Sequence, residues 1–161
     1  MLLFLRHAND KHDGTNDPKL SSKGKFRCFK EAKRLVQKYG KPDVIYCSPF
    51  IRAVQTANYL CTALKIKVKI KKRSFLSRYF TSKQKKSPKI PNKLQEKIQI
   101  NETKKEFKNR VKKSLHRLKD KTKNINCWCI THALFLKEIK KANNIYNGEH
   151  IKFLESVKVS R

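Results

Sequence analysis

Residues 44–57 read Val44-Ile45-Tyr46-Cys47-Ser48-Pro49-Phe50-Ile51-Arg52-Ala53-Val54-Gln55-Thr56-Ala57. The unbroken run Val44–Cys47, closed by Ser-Pro, predicts a short strand buried on both faces, as in a parallel sheet. Pro49 stops the ladder because it has no N–H to give. Beyond it Ile51, Val54, Ala57, Cys61 and Leu64 recur at helical spacing and predict a helix with one apolar side. A buried strand running straight into a helix is half of a βαβ unit.

Working outward, the same alternation recurs. Leu2 to Leu5 predicts a first buried strand, followed by a polar loop holding Asn9, Asp10, Asp13, Gly14, Asp17 and Pro18. Ser21 or Ser22 can cap the next helix, Gly40 and Pro42 stop it, and Phe26, Phe29, Leu35, Val36 and Tyr39 are its expected apolar face. Ile66, Val68 and Ile70 alternate with lysines, as in an edge strand protected by charge. Residues 71–100, rich in lysine and interrupted by Pro88 and Pro91, predict a long surface loop or lid. Thr103 and Glu106 form a capping-box pattern ahead of Phe107, Val111, Leu115 and Leu118. Ile125 to Thr131 predicts a third buried strand, Leu134, Leu136 and Ile139 a further helix, and Ile151 to Val159 a last strand. Strands alternating with helices predict a single α/β domain over 1–161, a three-layer αβα sandwich with a mostly parallel sheet.

Composition narrows the class. In 161 residues, 41 Lys and Arg stand against 12 Asp and Glu, a formal charge of +29. That field predicts anionic partners, and non-specific binding of polyanions such as nucleic acids that fades as salt rises. No stretch approaches the roughly 18 apolar residues of a membrane span, so a soluble, cytoplasmic protein without a membrane partner is expected. The five cysteines lack Cys-x-x-Cys spacing and are expected to be reduced and mostly buried. No metal cluster or cofactor motif is evident. Trp128 is expected in the core, and His12, His116 and His150 on the surface.

Arg6, His7, Arg52 and His132 stand at or just beyond the C-terminal ends of expected strands, the edge where open α/β sheets bind ligands. One pocket holding all four would suit phosphoryl transfer. A neutral imidazole can attack phosphorus, and guanidiniums with a second imidazole can neutralise the phosphoryl oxygens.

The blocks carrying these residues resemble the histidine phosphatase superfamily, which includes the cofactor-dependent phosphoglycerate mutases. Leu5-Arg6-His7-Ala8 is similar to its Arg-His-Gly motif. Ser48 to Ala57 is similar to its Ser-Pro-x-x-Arg-Ala-x-Gln-Thr-Ala, Ile130-Thr131-His132-Ala133 to its late Ser/Thr-His-Gly, and Leu20 to Gly24 to its Leu-Thr-x-x-Gly. In length the chain is closest to the short phosphohistidine phosphatases. The resemblance implies a phosphoglycerate-mutase-like fold, His7 as nucleophile, and Arg6, Arg52 and His132 as the grip on phosphate, with no metal and no cofactor.

Two departures bear on chemistry. Alanines 8 and 133 replace the glycines beside the histidines. Many members carry a Leu-x-Glu whose acid protonates the leaving group, whereas here the matching segment is Leu76-Ser77-Arg78 and no carboxylate occurs from Val44 to Gln95. Asp13 or Asp10 is the alternative acid or polar contact. Otherwise the substrate needs a good leaving group. The expectation is a metal-independent phosphatase of phosphoric monoesters or phosphohistidine working through phospho-His7. The alternative is a catalytically impaired relative that binds phosphate or polyanions.

Overall fold

The computed structural model describes residues 1–11, 13–15, 17–80 and 101–159. Strand β1 (Leu2–Arg6) is followed by helix α1 (Ser22–Tyr39), β2 (Val44–Cys47), α2 (Ile51–Leu64) and β3 (Lys69–Lys72). After residues 81–100 come α3 (Lys104–Lys121), β4 (Cys127–Thr131), α4 (Ala133–Ala142) and β5 (Ser156–Val159). The five strands form one sheet in the order β3-β2-β4-β1-β5. Every pairing is parallel except β1 with β5. This is the αβα sandwich expected from the alternation.

Local signals set most boundaries. Ser21 caps α1 by accepting from the Gly24 N–H, and Gly40 ends it at φ 74°, a conformation glycine adopts without a Cβ penalty. Thr103 and Glu106 close the capping box of α3, whose Phe107, Val111, Leu115 and Leu118 are buried. The central strands β1, β2 and β4 contribute side chains to two cores, one on each face. Leu3, Leu5, Ile45, Trp128 and Ile130 pack with α1 and α2 on one side, whereas Leu2, Phe4, Tyr46, Cys127 and Cys129 pack with α3 and α4 on the other. Trp128 is fully buried, as are Cys28, Cys47, Cys127 and Cys129, all free thiols. Burial pushes the Cys28 thiol up to about 12 and that of Cys47 to about 11, so neither is a thiolate near neutrality.

Several expectations need correction. The buried side of α1 is Gly24, Cys28, Ala32 and Leu35, while Phe26 is 71% exposed. Of the expected α2 side Ala57 is buried, whereas Ile51, Val54, Cys61 and Leu64 are only half-buried and Arg52, Ala53, Thr56 and Leu60 complete the buried side. Most of these buried positions are small residues, which a search for bulky apolar repeats passes over. Strand β3 starts later than the Ile66–Ile70 alternation suggested, because pairing Val44 with Lys69 and Cys47 with Lys72 sets its register. The segment expected to be a loop from residue 71 begins inside that strand. It continues as one turn of 3-10 helix over Ser74–Leu76, and Leu76 and Phe80 are buried in the body. The rest of the expected lid, with Lys83, Lys85, Lys86, Pro88 and Pro91, lies outside the described residues, as does His12. Only Ser156–Val159 of the last expected strand is extended, paired antiparallel to β1. Among the described residues no helix is long and apolar enough to cross a membrane.

Candidate active site

Because β2, β4 and β1 are adjacent and parallel, the residues that follow them emerge side by side at one edge. These are Ser48, His132 and His7. The His7 amide extends the ladder by one bond, to the Thr131 carbonyl at 3.0 Å. Ser48 donates in the same way to the Ile130 carbonyl at 2.9 Å. Arg52 arrives from the first turn of α2, and His132 is the N-cap of α4. A helix N-terminus carries partial positive charge, so α4 adds to the attraction for an anion.

The four residues do meet. Arg52 Nε donates to His7 Nε2 at 3.2 Å, and the rings of His7 and His132 are 5.2 Å apart. His7 is 4% exposed, His132 4% and Arg52 3%. His7 Nδ1 lies 2.8 Å from the Ala8 carbonyl, which can only accept, so the proton sits on Nδ1 and Nε2 keeps its lone pair. Burial first, then the charge of Arg52, holds the His7 imidazole well below its usual range and therefore neutral. The same two causes, in the same order, depress His132. Its Nε2 lies 2.8 Å from Ser48 Oγ, and its Nδ1 is buried without a partner among the described residues.

These groups line a cavity of about 620 Å³ shared by Arg6, Asp10, Asp13, Arg78 and Phe153. Arg6 donates to the Ile151 carbonyl, lies 3.4 Å from His150 Nε2 and stacks 3.8 Å over the Phe153 ring. His150 is surface-exposed as expected, yet it borders the site through Arg6. Arg52 is held by Asp10 at 3.5 Å and Asp17 at 3.7 Å. Asp17 also accepts from the Ile51 amide at 2.8 Å, fixing the loop to the start of α2. Asp13 reaches the cavity rim but is exposed and turned on its own loop, accepting from the Thr15 amide and hydroxyl. Those bonds, the hydroxyl's foremost, hold its carboxyl below the usual range, which suits a polar contact better than an acid.

The alanines beside the histidines are unstrained. Neither is among the described residues with positive φ, and the Ala8 amide donates to Thr56 Oγ1 at 3.0 Å. Sequence reading missed Ser48, Asp17 and Phe153 as parts of the site and gave Arg78 no place in it. Phe153 carries no local signal, because the fold alone returns the C-terminal segment to β1. A larger cavity of about 740 Å³ lies beside α3, but its buried Glu102 and half-buried Arg110 are paired with each other. Among the described residues no three His, Cys, Asp or Glu stand close enough to hold a metal ion.

The model of the histidine phosphatase superfamily (branch 1) matches residues 2–143. The chain belongs to this superfamily. Comparison with curated proteins finds no match. Solved structures share the fold at low identity. Phosphoglycerate mutase from Bacillus anthracis str. Sterne is 16% identical, with a TM-score of 0.72, covering 96% of this chain and 85% of its own. A phosphoserine phosphatase mutant from Entamoeba histolytica, in complex with phosphoserine, is 15% identical, with a TM-score of 0.67 and coverages of 96% and 87%. SixA from Agrobacterium tumefaciens, named as a phosphohistidine phosphatase, is 14% identical, with a TM-score of 0.65 and the same coverages. Within the superfamily, the Arg-His and Thr-His motifs of this chain sit on adjacent strands, in register from Leu2↔Cys127 to Arg6↔Thr131.

Proposed function

We propose that the protein is a metal-independent phosphatase of phosphoric monoesters or phosphohistidine, working through a phosphoryl group carried on His7 Nε2. The observation that carries this reading is the buried, neutral imidazole of His7, tautomerically set by Ala8 with its lone pair turned to a guanidinium. Such a ring can attack phosphorus without first losing a proton. In the first step the bond from Nε2 to phosphorus forms, and the bond from phosphorus to the leaving atom breaks. In the second, water attacks the phosphoryl group and returns the lone pair to Nε2. Arg52, Arg6 and His132 are assigned to the phosphoryl oxygens, where fixed donors stabilise developing charge without reorganisation. A bound phosphate adds negative charge beside His132 and raises its affinity for a proton, which would turn that ring into a second donor. Phosphorylated small molecules or phosphoproteins are the proposed partners, drawn in by the net charge of +29.

The test is mass spectrometry after brief exposure to acetyl phosphate. An acid-labile phosphoryl adduct on His7, unaffected by EDTA and absent from His7→Ala, is the expected result. Undiminished turnover in His7→Ala would eliminate the mechanism.

One observation favours a second reading, a phosphate- or polyanion-binding module. The Arg52 N–H already occupies the His7 lone pair. That reading predicts thermal stabilisation by inorganic phosphate with no adduct and no turnover.

A further inference from the structure

Three guanidiniums line the cavity, and they are not equally satisfied. Arg52 has Asp10 and Asp17, and Arg6 has the Ile151 carbonyl and the Phe153 ring. Arg78 has neither a hydrogen bond nor an ion pair among the described residues; its guanidinium lies 5.1 Å from the Phe80 ring and is attracted to Asp10 and Asp17 only through space. Burial first, and then repulsion from Arg52, push it down to about 10, so it is still a cation near neutrality. A half-buried charge beside a like charge is costly unless an anion completes it.

Its backbone is held firmly. Arg110 donates to the Phe75 and Ser77 carbonyls at 2.8 and 3.1 Å, and the Thr131 hydroxyl donates to the Leu76 carbonyl at 2.8 Å. The segment bearing Arg78 is thus tied both to α3 and to the end of β4, next to His132. The described carboxylates around the pocket are already engaged, Asp10 and Asp17 on Arg52 and Asp13 on Thr15.

We propose that Arg78 receives the leaving group of the phosphoryl transfer as an anion, which selects substrates whose leaving oxygen needs no proton from the protein. The substrate class is acyl phosphates and phosphate esters of acidic hydroxyls. The inference rests on the phospho-His7 reading. As the bond from His7 Nε2 to phosphorus forms, the leaving oxygen keeps the electron pair of the broken P–O bond. It pairs with the Arg78 guanidinium; after release a phenoxide takes a proton from solvent, whereas a carboxylate keeps its charge.

The test compares kcat/KM for phenyl phosphate and acetyl phosphate in the intact protein and in Arg78→Gln, Arg78→Met and Arg78→Lys. Phenoxide is a poor leaving group and acetate a good one, so an interaction with the leaving oxygen weighs more heavily on the first. Each neutral variant should lose about 10²-fold on phenyl phosphate and about tenfold less than that on acetyl phosphate, while Arg78→Lys recovers most of the phenyl phosphate rate. Two neutral variants keep the test usable if one fails to fold. Equal losses on both substrates, no loss, or a larger loss on acetyl phosphate would overturn the assignment while leaving phospho-His7 in place. An intact protein that takes no phosphoryl group from acetyl phosphate overturns the underlying reading, and this inference with it.

Discussion

Arg52 Nε lies 3.2 Å from His7 Nε2 and donates its proton to the ring, with both side chains buried. The same guanidinium carries the only two ion pairs found for the pocket's arginines among the described residues, with Asp10 and Asp17. One planar fork therefore orients the imidazole, ties down the loop after β1 and lines the cavity with a cation. A lysine ammonium is a point charge and cannot hold these directions at once. Arg52→Lys is expected to lower kcat/KM for p-nitrophenyl phosphate by about 10²–10³. Steady-state kinetics check this, and wild-type turnover in the variant would show that the guanidinium geometry is not used.

Acid should destabilise the fold through the same two rings. The native state holds His7 and His132 neutral well below their ordinary value of 6.5, whereas the unfolded chain protonates both near it. Below pH 6.5 the unfolded state thus binds more protons, and stability falls as pH falls, by at most roughly 1.4 kcal/mol per pH unit for each ring. Above that value the contribution is flat. Denaturant titrations from pH 5 to 8 should show this slope, and the double variant His7→Gln/His132→Gln should flatten it. An unchanged slope in the double variant would place the acid sensitivity elsewhere.

Gly24 is required by contact rather than by backbone angle. A Cβ there would stand 2.0 Å from the Asn9 carbonyl oxygen, which also accepts from the Ser21 amide at 3.0 Å. Asn9 lies two residues beyond His7, so any relief of the clash moves the loop that carries Asp10. Gly24→Ala is expected to cost about 1–3 kcal/mol in chemical denaturation. It should also weaken the thermal stabilisation given by inorganic phosphate, and a variant with wild-type values for both would refute the coupling.

Glu102 and Arg110 form a two-pronged ion pair, with Glu102 Oε2 accepting from Arg110 Nε at 2.9 Å and Oε1 from Nη2. Removing one partner of a largely buried pair leaves its charge uncompensated. Glu102→Leu should therefore lose about 3 kcal/mol or more. Because Arg110 also holds the Phe75 and Ser77 carbonyls, the variant should lose phosphatase rate as well, although it stands outside the pocket. Denaturation and kinetics on one preparation check both, and full stability would show that the pair contributes nothing net.

Much of the fold was legible because its signals are local. The strands Val44–Cys47 and Cys127–Thr131 are continuous apolar runs, Ser21 and Thr103 are caps, and Gly40 with Pro42 is a stop. The faces of α1 and α2 were legible only in part, through Leu35 and Ala57. Their buried positions are largely small, Gly24, Cys28, Ala32, Ala53 and Ala57, which register weakly on any scale of hydrophobic periodicity, while Phe26 sits outside.

By itself the sequence determined which side chains could handle a phosphoryl group and that each follows a strand, because residue chemistry and strand ends are written over a few neighbouring positions. Only the tertiary structure decided the sheet order that sets His7, Ser48 and His132 side by side, the proton's place on His7 Nδ1, and the presence of Arg78 and Phe153 in the same cavity. The sheet order and the shared cavity depend on contacts between residues dozens to more than a hundred positions apart, and the His7 tautomer on how the folded backbone turns the neighbouring Ala8 carbonyl to the ring, none of which has a local signature in the chain.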